Sequence, residues 1–330
     1  MDIDLWVWLV TIGVTTGVLL FDVVIIGRRP HEPSMREVGV ALAFYIGLAV
    51  VFGVGVWYFA GQQYGAEFFA GWLTEYSLSI DNLFIFIVIM GKLAVPREYQ
   101  QSALMVGIVI ALILRGIFIA VGAAAIHNFS WVFYIFGAFL IYTAVHLARE
   151  AGDDDEDGGY DEPRVVTWVR KRFPVTDDWH GVKLFAIENG KRLATPMLIV
   201  ILSLGMTDLL FALDSIPAIY GLTQEAYLVF TANVFALMGL RQLYFLIGDL
   251  LKRLVYLSYG LAFLLFFIGV KLVVEALHTN ELPFVNGGEP IEWAPEIPIW
   301  VSLGVIVLTL VVTAVASLLK DRADSRKATT

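Results

Sequence analysis

The chain has 330 residues, 58% of them hydrophobic and only 16% charged, with 23 Phe, 13 Tyr and 9 Trp. Soluble domains are about half apolar and about a quarter charged, so a water-soluble globule is excluded and an all-α polytopic membrane protein is expected. The lack of cysteine excludes disulfides, iron–sulfur clusters and thiolate metal sites, while the formal net charge of −9 matters less than where the charges stand.

A helix needs about 20 apolar residues to cross the hydrocarbon core. Runs of that kind lie near 5–26, 36–60, 68–91, 99–123, 129–149, 196–220, 225–247, 254–278 and 297–319, which makes about nine transmembrane helices in one polytopic domain over 1–330. The opening MDIDLW has no basic flank, and no small-residue cleavage site follows the first apolar run, so that run reads as a true first helix. The loops after odd-numbered spans, the adjoining helix ends and the C-terminal tail hold 19 of the 22 Lys and Arg, among them Arg28, Arg29, Lys92, Arg97, Lys252 and Arg253. None lies in the loops near 61–67, 124–128, 221–224 or 279–296. The positive-inside rule then places the N-terminus outside and the C-terminus in the cytoplasm.

One loop, 150–195, is long. It carries an acidic run from Asp153 to Asp157, then Gly158 and Gly159, then the basic stretch WVRKRF. The acidic run matches the first half of an EF-hand loop, but Arg164 stands where the bidentate Glu belongs. A solvated cytoplasmic loop is therefore expected, with its basic half against anionic headgroups.

The third span contains EYSLSIDN, with Glu75 and Asp81 six residues apart in an apolar run. The sixth contains TDLLFALDSIP, where Asp208 and Asp214 are again six apart and follow Glu75 and Asp81 at one common offset. FGAFLIYTAVH, ending at His146, is echoed by FIGVKLVVEALH, ending at His278, which aligns Gly137 with Gly269 at an offset one shorter. Arg115 in ALILRG pairs loosely with Arg241 in ALMGLRQ. Spans three to five (68–149) and six to eight (196–278) are thus expected to form a 3+3 inverted repeat. Three spans per unit insert the second copy upside down, which is the architecture of secondary transporters.

Counted along their spans at about 1.5 Å per residue, Asp81 and Asp208 fall near mid-membrane, with Glu75 and Asp214 closer to the outer side. A charge at that depth costs roughly 2.5–3.5 kcal/mol. In an unbroken helix, residues six apart point about 120° away from each other. Gathering both acids of a pair in one site therefore requires a break, which Pro217, Ser79, Asn82 and Ser215 would accompany. Lys271 and Glu275 neutralise each other at i, i+4, so four acids face Arg115 and Arg241 and two negative charges remain unmatched. A divalent cation cancels them. Carboxylate, amide and hydroxyl ligands suit Mn²⁺, Mg²⁺ or Ca²⁺, and Met206 offers either a soft thioether or plain apolar bulk. The competing reading is that the acids and arginines are structural glue between helices. Asp22 reads as snorkelling, Asn233 as an interhelical bond or part of a coordination shell, and His146 and His278 as helix-end residues.

With EYSLSIDNLFIF, TDLLFALDSIPAIYGLT and GLRQLYFLI in view, the chain resembles the TerC family of bacterial integral membrane proteins over nearly its whole length. The family is named for tellurium-ion resistance, some members are implicated in exporting Mn²⁺, and it is grouped with small-solute exporters. The resemblance implies a bacterial inner-membrane exporter whose acidic motif positions are here Glu75, Asp81, Asn82, Asp208 and Asp214. Ser79, Ser215, Asn233, Arg115 and Arg241 are expected as supporting residues. No permanently bound cofactor, no enzymatic activity and no nucleic acid partner are expected. The chain lacks GxxxxGK[ST], so an H⁺ or Na⁺ gradient would drive transport of the metal substrate. Two alternatives stand beside this: a membrane scaffold for a stress-response complex, and an intramembrane aspartyl protease. The second expects Gly-x-Gly-Asp, whereas the acids here sit in GMTD and LSID.

Overall fold

In lipid there is no water to satisfy free amide groups, so an apolar run bonds its own backbone and becomes a helix. The computed structural model of the chain follows that rule. It describes residues 3–28, 34–129, 131–150, 166–168, 171, 174–176, 178–188, 191–247, 256–280, 282–283, 285–291 and 294–327. The side chains of Asp22 and Asp81 lie outside the description, as do the whole acidic run Asp153–Asp157 and the EF-hand-like pattern read there.

The first five helices are α1 (Leu5–Arg28), α2 (Met35–Phe59), α3 (Gln62–Lys92), α4 (Arg97–Asn128) and α5 (Val132–Glu150). A hairpin, β1 (Phe185–Glu188) and β2 (Lys191–Ala194), precedes α6 (Pro196–Tyr220), α7 (Ala226–Met238), α8 (Leu240–Ile247), α9 (Leu257–His278) and α10 (Ile299–Lys327). Among the described residues eight helical stretches are long and apolar enough to span a membrane, and Leu5–Phe21 adds a shorter apolar helix. The chain is thus an all-α membrane protein, as its composition indicates.

Local chemistry sets the helix ends. Ser34 Oγ accepts from Glu37 N, and the Glu37 carboxylate accepts from Ser34 N at 2.8 Å, a capping box that opens α2. Between α2 and α3 the chain reverses at Gly61, whose φ of +116° only glycine adopts without strain. Pro196 opens α6, where its missing N–H has no helical acceptor to lose.

Three departures from the sequence expectation bear on the site. First, α3 starts at Gln62, six residues before the expected boundary, because Gln63 and Glu67 bond each other and remain helical. The midpoint of α3 is therefore Ser77, which brings Glu75 closer to the centre than Asp81. Second, the seventh span is two helices, α7 and α8, parted at Gly239. Third, the 150–195 segment is not loop throughout. The hairpin pairs Phe185 with Ala194 and Glu188 with Lys191, and the Trp179 ring lies 6.0 Å from Tyr99 at the start of α4.

Helix α3 is the hub, touching α2, α6, α7, α8, α9 and α10. The stretch Ala226–Leu246, made of α7 and α8, is the most buried of the spans, whereas Ile299–Lys320 of α10 is the least buried and lies at the periphery. Helix α4 packs on α6, α3 packs on α7, and α5 packs on α9. The α5–α9 crossing depends on two glycines. A Cβ on Gly137 would lie 2.8 Å from the Gly269 carbonyl oxygen, and a Cβ on Gly269 would lie 2.9 Å from that of Gly137.

Candidate functional site

The site begins with one buried cation. Arg115, in the middle of α4, is 0% exposed. Its Nε donates to Asp208 Oδ2 at 2.9 Å and its Nη2 to Asp208 Oδ1 at 3.0 Å, a two-pronged bond that matches guanidinium to carboxylate. Its Nη1 donates to Glu75 Oε1 on α3 and to Ser215 Oγ on α6 at 3.2 Å. Asp208 is 2% exposed and Glu75 0%. Asp208 is the midpoint of α6, so the cluster sits at the middle of three helices.

Two carboxylates share one guanidinium, so the ionised cluster carries one unmatched negative charge. Glu75 Oε2 is buried and makes no hydrogen bond among the described residues. One turn along α3, Ser79 is 0% exposed, and its Oγ is likewise unbonded among the described residues. The arrangement can therefore hold a cation or a proton on Glu75 without first breaking an existing bond to Oε2.

The other expected residues divide plainly. Helix α6 runs through Pro217 without interruption, so Asp208 and Asp214 keep the divergence of an unbroken helix. Asp214 points to α5 instead, where its Oδ1 accepts from Thr143 Oγ1 at 3.0 Å. The structure brings together Glu75, Arg115, Asp208 and Ser215, and leaves Asp214 apart. Asn82 is 5% exposed on α3 and Asn233 1% exposed on α7, with neither Asn233 amide atom bonded among the described residues. Arg241 is 7% exposed on α8, and its Nη2 donates to the Gln242 amide oxygen at 2.6 Å when that amide is oriented to satisfy both its ends. Among the described residues no group of three or more His, Asp or Glu is placed to hold a metal ion. By depth in the bundle, Asp208 is thus matched by Glu75, where counting along the sequence expects Asp81. The early start of α3 is the reason.

A second feature was not singled out from the sequence. A cavity of about 580 Å³ opens at the end of the bundle carrying the α2–α3 turn. It is lined by Glu67, Leu222, Thr223, Lys271, Glu275 and Glu296, among others. Glu67 is 7% exposed. Its Oε2 accepts from Thr223 Oγ1 at 2.6 Å and its Oε1 from Gln63 Nε2 at 3.0 Å, and Lys271 interacts with both Glu275 and Glu67. The signal lies in α3: Gln63, Glu67, Gly71, Glu75 and Ser79 recur every four residues, one stripe running from the cavity to Arg115.

Comparisons with known proteins agree with this architecture. A family profile described as "Integral membrane protein TerC family" matches residues 60–325. An uncharacterized membrane protein of Mycobacterium tuberculosis is 47% identical over 323 residues, covering 98% of this chain and 81% of the relative. An uncharacterized membrane protein of Myxococcus xanthus is 38% identical, covering 96% and 92%. A protein of Escherichia coli named "Putative membrane-bound redox modulator Alx" is 35% identical, covering 89% and 88%. No solved structure matches the chain.

Proposed function

Because the chain belongs to the TerC family of integral membrane proteins, we propose that it is a transporter exporting a divalent cation, Mn²⁺ first, from the cytoplasm in exchange for protons. The observation that carries this reading is the Glu75–Arg115–Asp208 cluster, which places two acids on one buried cation at the centre of the bundle. With both acids ionised the cluster keeps one negative charge that a cation or a proton can balance.

The chemistry follows from that count. Glu75, Asp208, Ser215 and Asn82 offer oxygen donors alone, a set suited to hard and borderline divalent ions. A metal reaching Glu75 Oε2 competes with Arg115 for the same carboxylates, so binding loosens the arginine. When the metal leaves, a proton on Glu75 restores neutrality. Metal and proton therefore exclude each other at one carboxylate, the condition for exchange. Expelling a 2+ ion from a negative-inside cell is uphill by about 2 × 2.3 kcal/mol per 100 mV, so a gradient must drive it.

The 3+3 inverted repeat belongs to this reading. It is supported by the reciprocal Gly137–Gly269 crossing and by the equivalence of the α4–α6 and α3–α7 packings. The N-outside orientation also belongs to it; it makes the 580 Å³ cavity extracellular and the hairpin end cytoplasmic. The chain has no cysteine, so a redox effect of the kind named for the Escherichia coli relative would not act through a thiol of this chain. The test is reconstitution in vesicles with an imposed pH gradient and a Mn²⁺-sensitive dye. Mn²⁺ flux that collapses with the gradient at clamped voltage is expected. Flux indifferent to the gradient overturns proton exchange, and no Mn²⁺ flux under any gradient overturns the exporter.

A further inference from the structure

We propose that Glu67 is a second ion site of this chain, a proton station in the 580 Å³ cavity that passes the coupling proton between solvent and Glu75. The inference rests on the proton-exchange reading above and adds to it the proton's route on the side of the α2–α3 turn.

A carboxylate in the first turns of a transmembrane helix can snorkel to the headgroups. Glu67 turns inward instead: it is 7% exposed and lines the cavity. An ionisable side chain held inside a membrane bundle marks an ion or proton pathway by default. The ionised carboxylate is met by Thr223 Oγ1, which donates to Oε2 at 2.6 Å, by Gln63 Nε2, which donates to Oε1 at 3.0 Å, and by Lys271.

That setting suits a proton and not a metal. Both carboxylate oxygens already accept a hydrogen bond, Lys271 already supplies a positive charge, and among the described residues no three acids are grouped to hold a metal ion. A proton needs no such shell. The Thr223 hydroxyl donates to ionised Glu67 and, turned about its C–O bond, accepts from the protonated acid. Thr223 Oγ1 is fixed from its other side, where it accepts from Glu225 N at 3.2 Å. In the loading step a hydronium in the cavity gives its proton to a Glu67 oxygen and leaves as water. The other charged groups that line the cavity among the described residues are Glu225 after α6, Lys271 and Glu275 of α9, and Glu296 before α10, which lies 3.1 Å from His278 Nε2. With Glu67 ionised these make four acids against one lysine, a field that concentrates protons in the cavity.

Glu67 stands apart from the Arg115 cluster. It precedes Glu75 by eight positions, about 12 Å along the helix. Gly71 lies between them on the same stripe, and there a Cβ would stand 3.2 Å from Ile219 Cγ2 and 3.5 Å from Ala232 Cβ. Helices α6 and α7 thus close on α3 with apolar groups at one turn, leaving a carboxylate on either side of it. On the far side Glu75 Oε2 makes no hydrogen bond among the described residues. Withdrawal of Ile219 admits water to that turn, lets the proton on to Glu75 Oε2 and leaves Glu67 ionised again. While the turn is dry, a proton loaded on Glu67 goes no further.

The experiment compares two modes of movement in proteoliposomes of the full chain. Net Mn²⁺ flux driven by a pH gradient requires protons to cross, whereas exchange of labelled for unlabelled Mn²⁺ at equal pH does not. Glu67→Gln keeps the size of the side chain and an oxygen for Thr223, but takes up no proton. It should lower the driven flux about a hundredfold, the lower end of what a positioned proton-transfer group contributes, and leave the Mn²⁺–Mn²⁺ exchange at the parental rate. Glu67→Asp should restore most of the driven flux. Thr223→Val deletes the hydrogen bond, leaves the carboxylate, and should retain most of the flux as well. Loss of both modes in Glu67→Gln, or an equal loss of driven flux in Thr223→Val, makes Glu67 a tie between α3 and the turn after α6 and overturns the station. Driven flux that survives Glu67→Gln overturns it too. If the parent moves no Mn²⁺ in either mode, the exporter falls, and Glu67 is tested alone by acid-minus-alkaline infrared difference spectra of the same proteoliposomes. A protonated-carboxyl band that disappears in Glu67→Gln supports the station, and no such band overturns it.

Discussion

Asp208→Asn removes one charge and keeps the size of the side chain. Asp208 accepts two bonds from Arg115, at 2.9 and 3.0 Å, in a setting 2% exposed. The amide retains one acceptor and turns an N–H group against the guanidinium, so one prong becomes a repulsion between donors. Breaking a buried ion pair from one side costs about 3–5 kcal/mol. Here the lower end applies, because Glu75 remains on Arg115 and the cluster becomes neutral. At about 1.4 kcal/mol per tenfold, 3 kcal/mol is a factor of roughly a hundred. A neutral interhelical hydrogen bond supplies the scale for comparison, averaging about 0.6 kcal/mol in a membrane. Tyr227→Phe, which loses only the 2.7 Å bond between Tyr227 and Thr11, serves as that control. Both variants are purified in micelles and compared by denaturant unfolding, and Mn²⁺ accumulation is measured in cells expressing each. The expected result is a large loss of stability and of export for Asp208→Asn, and little of either for Tyr227→Phe. Equal stabilities would show that Arg115 is not held as described, and unchanged export would remove Asp208 from the proposed transport site.

Other outcomes follow from the same structure. Cysteine labelling at residue 285 should report the outside of the cell and at residue 160 the inside; both on one side would defeat the nine-span topology. Gly269→Ala places a Cβ 2.9 Å from the Gly137 carbonyl oxygen and 3.1 Å from Ile141 N, both backbone atoms that cannot swing aside. It should destabilise by about 1–3 kcal/mol in the same unfolding assay, while Gly17→Ala, with nothing within 4 Å, should not destabilise. Glu275→Gln should reduce export less than Asp208→Asn, because Lys271 keeps its interaction with Glu67.

The membrane class and the span positions were legible because they rest on length and hydropathy, which each segment carries alone. Pro196–Tyr220 lies where the apolar run lies. The acids and Arg115 were legible as types, since a charge in an apolar run stands out. That acids and arginines could pair as glue was legible too; which two acids meet on Arg115 was not. It turned on a boundary: Gln63 and Glu67 are polar and look like loop, yet they bond each other and lengthen α3 beyond the expected start. That shift puts Glu75 nearer mid-depth than Asp81. The break at Gly239 was hidden for a similar reason. Residues on either side are apolar and helical, and a glycine in a buried helix reads equally as a packing contact. The hairpin at 185–194 was masked by the charge of its neighbours, although Phe185 stacks under Arg192 at 4.1 Å.

The placement of Arg115 also bears on how the chain is made. A guanidinium entering the bilayer meets the insertion cost before its final partners exist. Asp208 is 93 residues downstream, which at about 5–20 residues per second is a delay of about 5–20 s. Glu75 is 40 residues upstream and already synthesised when Arg115 emerges. Helices α3 and α4 therefore reach the translocon with the counter-charge for Arg115 in hand, and Asp208 joins the cluster later. Glu75 thereby serves biogenesis before it serves the finished bundle.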